Sequence, residues 1–459
     1  MSGTPHKRPR YQLLQTLAHS QKEAVASAGM TAACDNFMTA FALHLQATSV
    51  QLGVLTAIPQ LIGSLMQLVS VFLGTRFSRR RIVLIAAMLQ TVLMFGFALL
   101  AAVRQGGLVQ TLLMLVMLYH AFSNLIQPQW RAWMGSLVPQ QQRGVFFASR
   151  TRLTMATTLL VFIGGGLFLS YSARADLVWA GFVALFLVAG AGRATSCYHL
   201  WRMHDNAPEP VLADNSRFFE TLRILREAFH DPTFRNYTFF VAGMQGMVAI
   251  SAPFFAVYLL NELQFTYFEY SINLIASIAT QFFMLRYWGR ISDRHGARFV
   301  MLMCSSAIPV IPVLWLFSPN YYYLLFVQLI SGLAWSGYNL TMANYLYDIR
   351  PHHTNFATYA AVQALSSALL VFVGGIAGGY LAAHAPAMAD ALPFTLGSAL
   401  FIVFVISGVL RAVVLLWFVP RAEEPRIRSR PELLQVIFRV ARFNSISGVV
   451  LDWLTVTKK

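Results

Sequence analysis

Acidic side chains are scarce in this sequence: 18 Asp and Glu stand against 34 Lys and Arg, of which only four are Lys, in 459 residues. Charged residues of both signs make up 11% of the chain and apolar ones 57%. That ratio excludes an ordinary soluble domain, in which about a quarter of the residues are charged. Cysteine is scarce too. Cys34, Cys197 and Cys304 are odd in number, fall inside apolar runs and show no C-x-x-C spacing, which excludes a disulfide framework and a zinc site. His352 and His353 form a pair with no further ligands in sight, too few for a metal. No G-x-x-x-x-G-K-[ST] phosphate loop occurs, and Gly164, Gly165 and Gly166 lie in an apolar run where close helix packing explains them better than nucleotide binding. ATP hydrolysis is excluded, no cofactor is indicated, and the chain is not expected to be an enzyme.

What is present is a series of long apolar runs. They fall near 24–46, 52–75, 82–103, 108–137, 153–173, 177–201, 238–260, 268–289, 299–318, 322–347, 357–384 and 393–419. Most exceed the ~20 residues that cross a hydrocarbon core, and helices are the form expected, because lipid offers no partner to an unpaired backbone group. The fold class expected is an all-α membrane protein with twelve spans in the lipid bilayer. The leader MSGTPHKRPR is followed by polar sequence and the first run is too long for a signal peptide, so none is expected. In a soluble chain the net charge of +16 would suggest nucleic acid. Here the bases sit in short gaps between runs and mark topology, so no nucleic-acid partner is expected. The gaps after spans 2, 4, 8 and 10 hold Arg76, Arg79, Arg80 and Arg81; Arg143, Arg150 and Arg152; Arg290, Arg294 and Arg298; and Arg350. The odd-numbered gaps hold only Arg104 and Arg174. Basic loops stay cytoplasmic, so both termini are expected there, in a bacterial inner (plasma) membrane, with the chain functional as a monomer.

The chain repeats itself once. LVFIGG from Leu160 returns as LVFVGG from Leu370, and the preceding elbows align Pro139 with Pro351 and Phe147 with Tyr359. The offsets, 210 and 212, nearly agree through neighbouring elements, which points to two six-span halves. The expected division is a cytoplasmic segment 1–23, a first half 24–201, a linker 202–235, a second half 236–420 and a basic tail 421–459. In the linker, Phe218, Leu222, Leu225 and Phe229 share one helical face, as in a helix lying on a membrane or against the bundle. The tail alternates apolar and basic faces and reads as a second interfacial helix.

The stretch WGRISDRHGARFV, residues 288–300, crowds charge between spans 8 and 9. Its pattern G-x-x-x-D-R-x-G-x-R resembles the signature of the major facilitator superfamily, carried here by Gly289, Asp293, Arg294, Gly296 and Arg298. The resemblance, which extends over about 24–419 in span count, repeat and loop charge, implies two six-helix halves and a charged elbow that helps hold one gating state. Glycine permits a tight turn, and the Asp and Arg residues can bond neighbouring helix ends. The first-half elbow GTRFSRRR keeps Gly74, Arg79 and Arg81 but has Ser78 where the family has Asp.

Candidate site residues follow from polar groups inside the runs. His120, Asn124, Gln127 and Arg131 in span 4 recur at i, i+4, i+7 and i+11, which keeps them within one narrow sector over roughly 16 Å of helix. Facing lipid, this stripe would cost several kcal/mol, so it faces protein or a wet cavity. Span 10 carries Gln328, Ser331, Trp335 and Asn339 in a similar pattern, and the offset of 212 takes Gln127 onto Asn339. Matching polar faces favour a central solute site over interhelical seams. Gln245 in span 7 and Gln60, Ser64 and Gln67 in span 2 are further candidates, although single amides more often join helices. Asp35 is read as the acid deep in an apolar run. Its neutral form is the easier one to bury, a nearby cation reverses that preference, and Arg131 is the natural partner. These residues point to a secondary transporter of a small organic solute, coupled to protons through Asp35 and Arg131. The alternatives are a polyspecific efflux carrier for hydrophobic cations and a non-transporting membrane scaffold or sensor.

Overall fold

The computed structural model describes residues 7–74, 76–103, 108–138, 143–205, 229–349, 356–393 and 395–421, and the described residues form helices and turns with no strand. Twelve rods appear in the expected order. In the first half, α1 is Lys7–Cys34, continued after a 3-10 turn at Asp35–Phe37 by Met38–His44. It is followed by α2 (Ser49–Leu73), α3 (Arg79–Ala102), α4 (Val109–Leu137), α5 (Arg143–Arg174) and α6 (Val178–Arg202). In the second half, α7 is Pro232–Val257, continued by a π turn at Tyr258–Glu262, and α8 is Tyr267–His295. Then come α9 (Ala297–Ala307, continued by Val310–Leu314), α10 (Tyr321–Ile349), α11 (Phe356–Asp390) and α12 (Leu400–Phe418).

Eight of these, α2 to α7 with α11 and α12, are by themselves long and apolar enough to cross a membrane. The others are compromised by their sequences: α1 and α9 are interrupted, α8 ends in Arg-rich sequence, and α10 carries Gln, Asn and several Tyr. They complete the bundle by packing against the apolar eight. α1 starts far earlier than the apolar run at 24, and α5 starts at Arg143 rather than 153, so both extend further toward the elbows. Of the linker face, Phe229 stacks near Phe239 at 6.2 Å between ring centres, while Phe218, Leu222, Leu225, the tail from 422, His352 and His353 lie outside the described residues.

Local sequence sets the helix starts. Thr48 caps α2 and forms a capping box with Gln51, and Thr266 does the same for α8 with Glu269. Asp231 caps α7 with Pro232 at its first position. The charge-rich elbow is not an open loop. α8 runs through Gly289 and Asp293 to His295, and Gly296 alone makes the turn, with φ 93° and ψ 152°. The charge therefore sits on the last turns of α8, and of the motif's two glycines only Gly296 needs to be one.

Each half has its own aromatic core, one around Phe37, Phe97, Tyr119 and Phe186, the other around Phe240, Trp288, Tyr338 and Tyr345. The halves meet through glycine. In α11 the run GGIAGG points Gly374 and Gly378 at α7 of its own half, where a Cβ on Gly378 would stand 2.7 Å from Ile250 Cα. Gly375 and Gly379, one step round the helix, face α2 of the other half, where their Cβ atoms would stand 2.6 Å from Ala57 Cβ and 2.9 Å from Val50 Cα. α5 repeats the device toward α8: a Cβ on Gly166 would meet Ser271 Cβ at 2.8 Å, and Ser170 Oγ accepts from the Phe268 N–H at 2.8 Å. These contacts lie toward the face opposite the elbows.

Gly375→Ala and Gly53→Ala should therefore loosen that face, because neither added methyl has room against backbone. Spin labels at the exposed positions Gln46 and Ala387 should report a wider separation in both variants. Gly164→Ala, whose Cβ meets nothing within 4 Å, should leave the distance unchanged. An unchanged distance in all three would mean that the glycines do not set the closure.

Candidate functional site

A cavity of about 350 Å³ lies between the halves, on the elbow side of this seam. It is lined by Pro59, Gln60, Gly63, Ser64 and Gln67 of α2, His120 and Asn124 of α4, Gln245 of α7, and Gln363, Ala364, Ser367 and Ala368 of α11. Residues 60, 64 and 67 share a face of α2 by helical spacing, as do 120 and 124 on α4. Gly63 lets the two helices close: a Cβ there would stand 2.5 Å from Asn124 Nδ2. The Gln67 amide donates to Asn124 Oδ1 at 2.9 Å, Asn124 donates back to the His120 carbonyl at 2.9 Å, and Gln363 donates to Ser367 Oγ at 2.8 Å. No Asp, Glu, Lys or Arg belongs to the described lining.

Of the α4 stripe, His120 and Asn124 enter the cavity, while Gln127 and Arg131 continue the same face toward the elbows as exposed side chains. Gln245 lines the cavity as well. The α10 residues do not join it. Trp335 stacks edge-on against Tyr338 at 5.4 Å in the second-half core, Asn339 is exposed outside the lining, and Gln328 donates to Asn273 Oδ1 of α8 at 2.9 Å. In the elbow, Arg298 has a sealed Nε with no hydrogen-bond partner among the described residues, and the side chains of Asp293 and Arg294 lie outside the described part.

Asp35 lies at the break in α1, within the first half and outside the cavity lining. Its Oδ1 is sealed from solvent without a hydrogen-bond partner, and Tyr119 of α4 interacts with the carboxyl. No ion pair joins Asp35 to Arg131 among the described residues. The reason is depth. Tyr119 stands level with Asp35, and Arg131 is twelve residues further along α4, about 18 Å of rise. The apolar run that begins near 24 does not set the depth of Asp35, because α1 starts at Lys7.

A second polar group escaped the sequence reading. Glu23, 4% exposed, accepts from Arg150 Nη2 at 2.7 Å and from Ser196 Oγ at 3.3 Å. Ser196 accepts from Arg193 Nη1 at 3.1 Å, and the Arg150 guanidinium lies 4.1 Å from the centre of the Trp130 ring. Arg193 is 4% exposed. Arg193 was visible as the lone cation within the run 177–201; Glu23 was not, because it precedes the apolar run. At the first-half elbow, Arg79 pairs with Asp205 at 2.8 Å, beyond α6, and donates to Ser136 Oγ at 2.8 Å and the Ala132 carbonyl at 3.0 Å. The acid missing at Ser78 is thus supplied from another place in the same half.

Removing one member of the Glu23–Arg150 pair strands its partner, which costs roughly 3 kcal/mol for a buried pair. Glu23→Gln and Arg150→Gln should each lower resistance to unfolding in detergent by that order. The double variant should lose less than the sum of the two. Additive losses would show that the two side chains act separately.

The sequence pattern of the Major Facilitator Superfamily matches residues 25–257 and again 238–457, once for each half. No curated protein matches the chain. Among solved structures, a mutant form of the nucleoside transporter NupG aligns with a TM-score of 0.67 at 13% identity, over 90% of this chain and 100% of that one. A bacterial homologue of the iron transporter ferroportin, in an inward-facing state, aligns at 0.66 and 13% over 90% and 99%. A D-xylose–proton symporter aligns at 0.63 and 13% over 90% and 98%. At such identities these likenesses speak for the fold, while the sequence pattern covers both repeats: the chain is an all-α membrane protein that belongs to the Major Facilitator Superfamily.

Proposed function

We propose that this protein is a secondary transporter that moves a small organic solute by rocking its two halves about the central cavity, with proton coupling through Asp35. The observation that carries the reading is the cavity itself, polar, free of charge and built from α2 and α4 of one half with α7 and α11 of the other. A site between two bodies changes its access when they rock. The glycine seams close the face opposite the elbows, and the exposed Gln127 and Arg131 extend the polar stripe toward the elbows, so the state described is open on the elbow side. The arginine-rich elbows support a cytoplasmic position for that side.

Asp35 suits the coupling role because its carboxyl sits among apolar side chains with one oxygen unpartnered. An ionised carboxylate is costly there, so protonation and the local arrangement are linked. In this state Tyr119 is the partner of the Asp35 carboxyl, and the exposed Arg131 belongs to the entrance. The absence of an acid from the described lining weighs against the efflux of hydrophobic cations. A scaffold or sensor would not accumulate any solute.

In proteoliposomes with an imposed pH gradient, Asp35→Asn should abolish gradient-driven accumulation and spare solute exchange, which needs no net proton movement. Accumulation equal to that of the parent protein would remove Asp35 from the coupling. Cysteines at Arg80 and Arg294 should be labelled only from the cytoplasm, and one at Asn320 only from outside; external labelling at Arg294 would overturn the orientation.

A further inference from the structure

The transporter reading leaves the solute open, and the cavity's unspent hydrogen-bonding groups narrow it. Of the amides in the lining, Asn124 is used at both ends, by Gln67 and by the His120 carbonyl. Among the described residues Gln67 and Gln363 have each spent only their amide nitrogen, leaving two carbonyl oxygens without a partner there. Gln60, Gln245 and the His120 ring nitrogens have no protein hydrogen-bond partner among the described residues, and all of them face the same space. The free set is rich in acceptors, with four amide carbonyls, two from each half, and also includes the donor ends of Gln60 and Gln245. Hydroxyl groups match such a set because each of them donates and accepts.

Three absences sharpen the class. The described lining has no charged side chain, so an ionic solute would enter without a countercharge there, at the cost of its own desolvation. Its described residues include no Trp, Tyr or Phe, so a quaternary ammonium finds no aromatic cage and a planar base finds only the His120 ring. Its 350 Å³ stands near the lower end of ligand cavities, which run from about 300 to 1,000 Å³. We infer that the solute is a small, uncharged, multiply hydroxylated molecule, a monosaccharide or polyol, held between Gln60 and Gln67 of one half and Gln245 and Gln363 of the other. This rests on the carrier reading above and adds the chemistry of what is carried.

The test uses the full chain, purified and in proteoliposomes, with D-glucose, D-xylose and D-mannitol as probes, and uridine, tetraphenylphosphonium, gluconate and glucosamine as contrasts. At least one of the three neutral probes should protect against heat unfolding and be taken up, and uridine, tetraphenylphosphonium and gluconate should do neither. Gln245→Ala should weaken binding of that probe about tenfold, as expected for one lost hydrogen bond. Gln245→Glu should shift preference toward glucosamine by at least a similar factor, because a carboxylate now meets the ammonium. If the Gln245 variants fail to fold, Gln60→Ala and Gln60→Glu, at a position exposed to the cavity, carry the same expectation. Uptake of uridine, tetraphenylphosphonium or gluconate without uptake of a neutral probe would overturn the solute class and leave the carrier standing. Protection and uptake by no probe or contrast would overturn both. A neutral probe that binds the glutamine variants as well as the parent would overturn the placement.

Discussion

Close approach of α11 to two helices at once is the constraint on which the arrangement depends. Successive helical residues point about 100° apart, so paired glycines four residues apart give one helix two adjoining flat faces. Gly374 and Gly378 use one face to fix α11 within its half, and Gly375 and Gly379 use the other to meet α2 across the interface. In lipid the hydrophobic effect contributes little between helices, and close packing of small residues supplies much of the attraction. The contact between halves can then be tight without being strongly bound, as a seam that must open and close requires. α5 reaches α8 by a similar route through Gly166 and Ser170.

How much of this was legible in the sequence depends on which physical signal each element carries. Apolar length gave all twelve rods, because a span must hide its backbone whatever its neighbours are. The repeat was legible in LVFIGG and LVFVGG, and the structure adds two further echoes at an offset of 218. Thr48 and Thr266 begin capping boxes, and the Gly-x-x-Arg-Ala patterns ending at Ala194 and Ala412 carry the buried Arg193 and Arg411. The cavity was half legible. Periodicity found the α4 stripe and the α2 amides, but it could not tell which polar face turns toward the other half, and so it assigned Trp335 to a site when Trp335 belongs to a core. The separation of Asp35 from Arg131 was not legible for a different reason: an apolar edge does not mark where a helix begins, and α1 runs on past it to Lys7.

The fold is symmetric, but the described charge is not. Glu23, Arg150, Arg193 and Asp35 occupy the first half, whereas in the second the buried Arg411 donates to Ser251 Oγ at 2.7 Å and to the Ile308 carbonyl at 3.3 Å, with no acid partner among the described residues. Neutral bonds suffice to hold a guanidinium there, but they cannot take up or release a proton. Among the described residues the ion pairs lie in the first half, and the described lining of the cavity between the halves carries no charge.

These two systems meet on α4. Tyr119 and His120 are consecutive, so a helix directs them about 100° apart, one toward Asp35 inside the half and the other into the cavity. Their rings touch edge-on at 5.0 Å. On the proposed coupling role of Asp35, a change in its charge acts first on Tyr119, and α4 cannot turn or shift to answer it without moving His120 and Asn124 in the cavity wall. The reverse holds for a solute that draws on His120. The proposed coupling between proton and solute would then need no contact between them, only one helix whose adjacent residues serve different sites, and linkage would make the influence of each on the other equal.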